Sequence, residues 1–374
     1  MLNDKKIKIA IAVGISMLLI IISIGFAIRS ENNKKMMGET IEETIDREDD
    51  VPIIIVEPSP DESDTPMEDL TGKIINPLTG LYVDESVLER RPIAVMLDNL
   101  FSARPQAALS QADIIYEILA EGRITRYMAI FYSDYPELIG PVRSARPYFV
   151  EKSLEYNPYI VHVGGSNQAL KDIRTYEMAD IDGLSSGAFW RVSHKRIPHN
   201  MYTSSKVIVE DANRKGYMKT HIPEFLSFNE VFTAIDGSEA KEIVFEYKEP
   251  TASDQTGYTT SYIYNNENRL YYRYTNGKPH VDENDQNQLT CTNIIVQYAK
   301  TQVIDNEGRL KVDFIGSGTG KLYTGGEMIE IKWEKSSARS STLFYKNDGT
   351  PIKLNPGITW FQVFETGKSE TIIQ

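Results

Sequence analysis

The run Ile9–Ile28 constrains this chain more than any other feature. It is twenty residues long and carries no charge, which is the length an α-helix needs to cross a bilayer. Lys5, Lys6 and Lys8 precede it, so the positive-inside bias keeps the short start in the cytoplasm and places the rest of the chain on the extracytoplasmic face. Arg29, Lys34 and Lys35 oppose that orientation. A cleaved signal peptide is the rival reading, but the run exceeds a typical h-region and no clear small-x-small site follows. The expectation is an uncleaved single-pass anchor over residues 1–29.

Charge then divides the chain. Residues 30–71 hold 14 acidic and 3 basic residues, a net of −11 out of the chain's −13. A segment so rich in Glu, Asp, Ser and Pro cannot bury enough apolar surface to offset its ordering entropy, so a flexible acidic tether is expected there. Its one apolar island, Val51–Val56, reads as a sticky patch or an added edge strand. The remainder carries only −2. It lacks the basic face that phosphate neutralisation requires, which argues against nucleic acid as a partner. The single cysteine, Cys291, excludes an internal disulfide and a thiolate metal cluster, and reads as a small buried hydrophobe.

From Asn76 the pattern is that of a packed protein. Pro92–Leu97 reads as a buried strand ending in Asp98 and Asn99, and Ile114–Leu119 with Ile124–Tyr132 reads as a hairpin. Glu117 and Arg126, one in each strand, form either a cross-strand ion pair or part of a cleft wall. The stretch Gly140–Ser166 holds two helix starts: Ser144 as N-cap before Ala145, Arg146 and Pro147, and Gly164-Gly165-Ser166 after the strand Tyr159–Val163, which ends near His162. Exposed N–H groups at both starts, with the forks of Arg143 and Arg146, suggest a seat for an anionic group. Asp98, Asn99 and Arg104 would line its far side. An ordinary turn with solvated arginines is the competing reading. Ser185–Thr203 is irregular and polar, and includes His194, His199 and Asn200. The two histidines lie five apart, which does not suit zinc on one helix face, so neither metal nor cofactor is expected. After Gly237 strand runs, at Ile243–Tyr247, Thr259–Tyr264, Leu270–Tyr274, Asn293–Tyr298, Leu310–Phe314, Met328–Trp333, Thr342–Tyr345 and Thr359–Phe364, alternate with turns to the end. Tyr271, Tyr272, Arg273 and Tyr274 read as sheet residues or as a stacking surface. The expected fold is α+β, with an N-terminal layered α/β sandwich over 72–236 and a smaller, mostly-β domain over 237–374.

The motifs NPLTGL (76–81), RRPIAVMLDN (90–99), ARPQAALSQADIIYEILAEGRITRYMAIF (103–131), IGPVRSARPYF (139–149), VHVGGS (161–166) and PHNMYTS (198–204) resemble the YerB-like family of bacterial envelope lipoproteins. The resemblance runs to the C-terminus, where FYKNDGTPIKLNPGITWFQV (344–363) carries it. It implies two domains and an envelope location, without supplying an activity. No cysteine follows the apolar segment, so the helix itself stands in for a lipid anchor.

No nucleophile elbow, Walker loop, HExxH or kinase signature is present. Two functions follow. One is a non-catalytic, membrane-anchored module that binds a wall component or a wall-synthesis protein. The other is a hydrolase or transferase on wall polymer, using Asp98 or Glu117 as acid or base and His162 or His199 for proton transfer.

Overall fold

The strand at Ile93–Asp98 (β1) is buried at all six positions. Its sequence IAVMLD therefore shows no alternation, as expected of a strand covered on both faces. The computed structural model describes residues 70–223, 226–248 and 257–373. Ile9–Ile28, the acidic stretch from Ser30 to Asp69 and its island Val51–Val56 lie outside them. Among the described residues no helix is long and apolar enough to cross a membrane.

After β1 come β2 (Ile114–Leu119), β3 (Thr125–Phe131), α1 (Pro147–Ser153), β4 (Tyr159–His162), α2 (Asn167–Thr175), β5 (Ala179–Asp182) and α3 (Ser205–Arg214). The second half supplies β6 (Glu242–Lys248), β7 (Tyr258–Asn265), β8 (Leu270–Thr275), β9 (Asn293–Val303), β10 (Gly316–Thr324), β11 (Glu327–Lys335), β12 (Thr359–Glu365) and β13 (Thr371–Ile373). One 12-stranded sheet runs in the order Ser238–Glu239, β11, β10, β9, β12, β2, β3, β1, β4, β5, with two further strands off this path, Leu310–Asp313 on β9 and Leu343–Lys346 on β11. Its two ends come from different halves of the chain and join where β12 lies parallel to β2, Gln362 opposite Glu117.

A second sheet, centred on β8, β7, β6 and β13, covers one face of the first at β2, β3 and β12. Its strands alternate in burial: Tyr271, Arg273 and Thr275 point inward, while Tyr272 and Tyr274 are half-exposed. That period of two marks a sheet with one packed face. Tyr271 and Arg273 thus belong to the core, not to a stacking surface. The other face of the large sheet carries Tyr116, stacked on Phe361 at 4.5 Å and bonded through its hydroxyl to that of Tyr156 at 2.6 Å.

These observations correct the expected fold class. The described chain is mostly β, with only three short α-helices among the described residues, and residues 72–236 do not form a layered α/β sandwich. Their strands are one end of a sheet shared with the second half, and a β-sheet lies where a helical layer was expected. A local correction concerns α1. Its N-cap is Arg146, with Pro147 at the first helical position and no side-chain cap. Ser144 instead donates its hydroxyl to the Val163 carbonyl at 3.0 Å.

Candidate functional site

Consecutive residues of a strand point to opposite faces, so Asp98 and Asn99 at the carboxyl end of β1 open two different environments. Asp98 meets His199, whose Nδ1 lies 2.6 Å from Oδ2, and Arg143, whose Nε lies 3.0 Å from the same oxygen. The Arg143 N–H is not aimed at that oxygen and makes no hydrogen bond, so the contact is an ion pair alone. Asp98 Oδ1 accepts the Leu100 N–H at 3.1 Å, which fixes the carboxylate. Arg126 stands opposite Asp98 in the β1–β3 register and donates to the Ser144 carbonyl at 2.5 Å. Burial, then the neighbouring charge of Arg146, lowers its pKa.

Asn99 faces the second sheet. Its amide donates to Thr125 Oγ1 at 2.7 Å and to the Tyr258 hydroxyl at 2.5 Å. Both of those hydroxyls donate in turn to Glu117 Oε1, at 2.6 and 2.5 Å. Glu117 is fully buried, and its Oε2 receives Arg273 at 2.6 Å and Gln362 at 3.0 Å. Burial alone would raise the Glu117 pKa; the Arg273 guanidinium and then the Thr125, Tyr258 and Gln362 donors more than reverse this and hold it below the usual carboxylate range. Arg273 Nε donates to His280 Nδ1 at 3.1 Å, which leaves His280 Nε2 to donate to Gln106 Oε1 at 2.8 Å. Burial and then the Arg273 charge push the His280 pKa well down, so the ring is neutral. Gln106 closes the circuit by donating to the Asp98 carbonyl at 2.8 Å.

Above this network lies a cavity of about 310 Å³, lined by Asn99, Phe101, Arg104, Lys248, Tyr258 and Lys278 among others. Arg104 donates to Asn99 Oδ1 at 3.0 Å and to its carbonyl at 2.8 Å, and its guanidinium lies 5.0 Å from the centre of the Tyr258 ring. Phe101 is 83 % exposed at the mouth. The described lining holds three cationic side chains and no carboxylate.

The remaining sequence candidates have other partners. Arg146 forks onto Glu121, with NH2 to Oε2 at 3.1 Å. His162 is completely buried between the Gly164 carbonyl and Asp180, 2.8 Å from each. The Gly164 N–H donates to Asp182 Oδ1 at 2.7 Å, Gly165 bridges Ala145, and the Ser166 hydroxyl caps α2 at the Ala169 N–H. Asn200 accepts from Arg191 at 2.6 Å and donates to the Val192 carbonyl, holding the 190–203 loop. The structure thus joins Asp98, Arg143 and His199 on one face and Asn99, Arg104 and Glu117 on the other. Arg146, His162 and the Gly164-Gly165-Ser166 turn are engaged elsewhere. The alternation of β2 and β3 also separates Glu117 from Arg126: Glu117 is opposite Tyr127, and Arg126 opposite Ile118, so no ion pair joins them.

Residues 78–218 match the family described as protein of unknown function (DUF3048), N-terminal domain, and residues 251–361 match its C-terminal domain. A curated relative, the putative lipoprotein YerB of Bacillus subtilis (strain 168), is 35% identical over 297 residues, covering 79% of this chain and 87% of its own. The chain belongs to the DUF3048 family. Its fold is similar to the crystal structure of the YerB protein from Bacillus subtilis, with a TM-score of 0.74 and 34% identity over 81% of this chain and all of that one. The DUF3048 segments meet at this site: β1 and Arg104 come from the first, Tyr258, Arg273 and Lys278 from the second. Sequence reading missed Lys248, Tyr258 and Lys278, since nothing local to them signals proximity to residue 99.

Proposed function

We propose that this protein is a non-catalytic binding module of the bacterial envelope, held at the membrane by Ile9–Ile28, that receives a phosphate group of an envelope polymer in the cavity at the end of β1. The observation that carries this reading is the cation-only described lining of that cavity. Arg104, held in place by Asn99, and Lys278, exposed on a short strand after the Asn276-Gly277 turn, supply charged donors, while Phe101 and Tyr258 supply apolar contact for a polymer backbone. The lipoprotein description of the Bacillus subtilis relative and the resemblance noted in the sequence support the compartment. A wall polymer with repeated phosphates suits several cations around one opening better than a single carboxylate does.

The expected outcome for Arg104→Ala combined with Lys278→Ala is a loss of about a hundredfold to ten-thousandfold in affinity for oligo(glycerol phosphate), since each of the two charged hydrogen bonds contributes about 1.5–3 kcal/mol. Thermal stability should be nearly unchanged, because neither side chain is buried. Titration calorimetry with the purified protein checks this. Undiminished binding in a folded double variant counts against the cavity.

The 2.6 Å contact between Asp98 and His199 favours a second reading, acid–base chemistry on wall polymer. Of the residues first considered for it, Glu117 and His162 are enclosed and fully bonded, leaving Asp98 with His199. His199→Ala that abolishes function in cells while leaving polymer affinity intact would select this reading over the first.

A further inference from the structure

A well-formed cleft lies away from β1. It occupies about 450 Å³ between α1, α2 and the segment Leu310–Ile315. Its walls are apolar, from Pro147, Tyr176, Val312 and Phe314, and two exposed isoleucines, Ile304 and Ile315, stand 58% and 52% open at its rim. Two of the polar groups on that surface are unpaired. The Tyr148 hydroxyl belongs to a side chain only 3% exposed, and both it and Glu151 Oε1 are enclosed without a hydrogen-bond partner. Buried polar groups are ordinarily paired, so the orphaned carboxylate oxygen of Glu151 on the cleft wall calls for an occupant, whereas the Tyr148 hydroxyl lies towards Arg126, Glu121 and Arg146.

Charge decides which occupant. Among the described residues the lining carboxylates are Glu151, Asp172 and Asp313, and the one lining cation, Lys311, is bonded to Asp313 at 2.7 Å. Asp172 accepts from Gln168 at 2.6 Å. That leaves Glu151 uncompensated within the cleft. Burial raises its pKa, Glu155 and Asp313 add to the rise, and Lys335 and Lys152 oppose it; those two lysines are themselves bonded to Glu155. A ligand ammonium beside Glu151 would supply the missing donor, and an aliphatic arm behind it would lie along the isoleucines and Phe314.

We propose that this cleft binds the ammonium group of a lysine-type side chain on an extracytoplasmic peptide, with Glu151 as its acceptor. The site is separate from the cation-lined cavity and does not rest on the function assigned to it.

The test uses two probes, Nα-acetyl-lysine amide and Nα-acetyl-norleucine amide, which share an aliphatic arm and differ in the ammonium. The purified protein should bind the lysine probe about tenfold or more tightly than the norleucine probe, the effect of one charged hydrogen bond. Glu151→Gln should remove that preference. Equal binding of the two probes, or an undiminished preference in a folded Glu151→Gln protein, overturns the proposal. If Glu151→Gln lowers the melting temperature too far for titration, the wild-type protein decides through the NMR shifts of ring-labelled tyrosine. Perturbation of Tyr148 by the lysine probe but not by norleucine is expected, and an unmoved Tyr148 signal at saturation overturns the assignment.

Discussion

Replacing Arg273 by leucine should destabilise the protein by about 3–5 kcal/mol, because it leaves the buried Glu117 carboxylate without its counter-charge. Neither side chain is exposed at all, so water cannot enter to compensate. The guanidinium also holds the hydroxyls of Tyr262, Tyr127 and Thr260 and lies 4.1 Å from the centre of the Trp360 ring. Leucine would satisfy none of these. Urea unfolding followed by tryptophan fluorescence checks the figure, and a loss below about 1 kcal/mol would mean that Glu117 is neutral or solvated in the native state. The wild type should show the same coupling as a pH dependence. The folded pKa of Glu117 is depressed, so its contribution is complete above the unfolded carboxylate value of about 4.3 and is lost as pH falls through the lower folded value. The Arg273→Leu protein should lack that part of the acid transition.

Glu155→Gln should cost about as much, roughly 3–5 kcal/mol, for a related reason. Glu155 Oε1 receives two ammonium groups, Lys152 and Lys335, each at 2.9 Å, and all three side chains are fully buried. Lys152 also donates to Thr342 at 2.8 Å and sits 4.5 Å from the centre of the Phe314 ring. Both pKa values in this pair are lowered, which favours the charged form of Glu155 but the neutral form of Lys152. That of Glu155 is lowered because two cations outweigh its burial, whereas that of Lys152 is lowered because burial and repulsion from Lys335 outweigh a carboxylate it must share. Removing the carboxylate therefore strands two like charges together. The combined replacement Lys152→Met, Glu155→Leu, Lys335→Met should be far milder than Glu155→Gln alone, since apolar side chains of similar volume can replace a buried ionic cluster at little cost. Denaturant midpoints of the two proteins check the order, and a combined variant less stable than Glu155→Gln would contradict it.

Several elements were legible in the sequence because their signals are local. β1 ends in Asp98 where its apolar run stops, β2 and β3 pair across the short loop at Glu121–Arg123, and Ser166 caps α2. The strands of the second half from β6 to β9, and also β11 and β12, fall where alternation and turn residues place them. The parallel pairing of β2 with β12 left no such trace, since Glu117 and Gln362 are 245 residues apart. β10 was missed because its GSGTGKLYT text reads as a loop. Its glycines answer to close neighbours: a Cβ on Gly318 would meet the Trp333 ring at 2.7 Å, and one on Gly320 would strike the Val296 carbonyl. The expected sandwich fails for a related reason: nothing local to the helical text between 145 and 176 signals the second sheet, whose strands lie about a hundred residues further along the chain. Half of the site was readable as polar residues ending β1. The rest, Lys248, Tyr258 and Lys278, reaches it only through the packing of the second sheet.

The most direct measurement is a crystal structure of the protein soaked with oligo(glycerol phosphate) at a concentration that titration has shown to be saturating. A phosphate bonded to Arg104 and Lys278, with the polymer backbone against Phe101 and Tyr258, is the expected result. Saturating polymer found at Asp98, Arg143 and His199 instead, with the cavity beside Asn99 left to solvent, would contradict it.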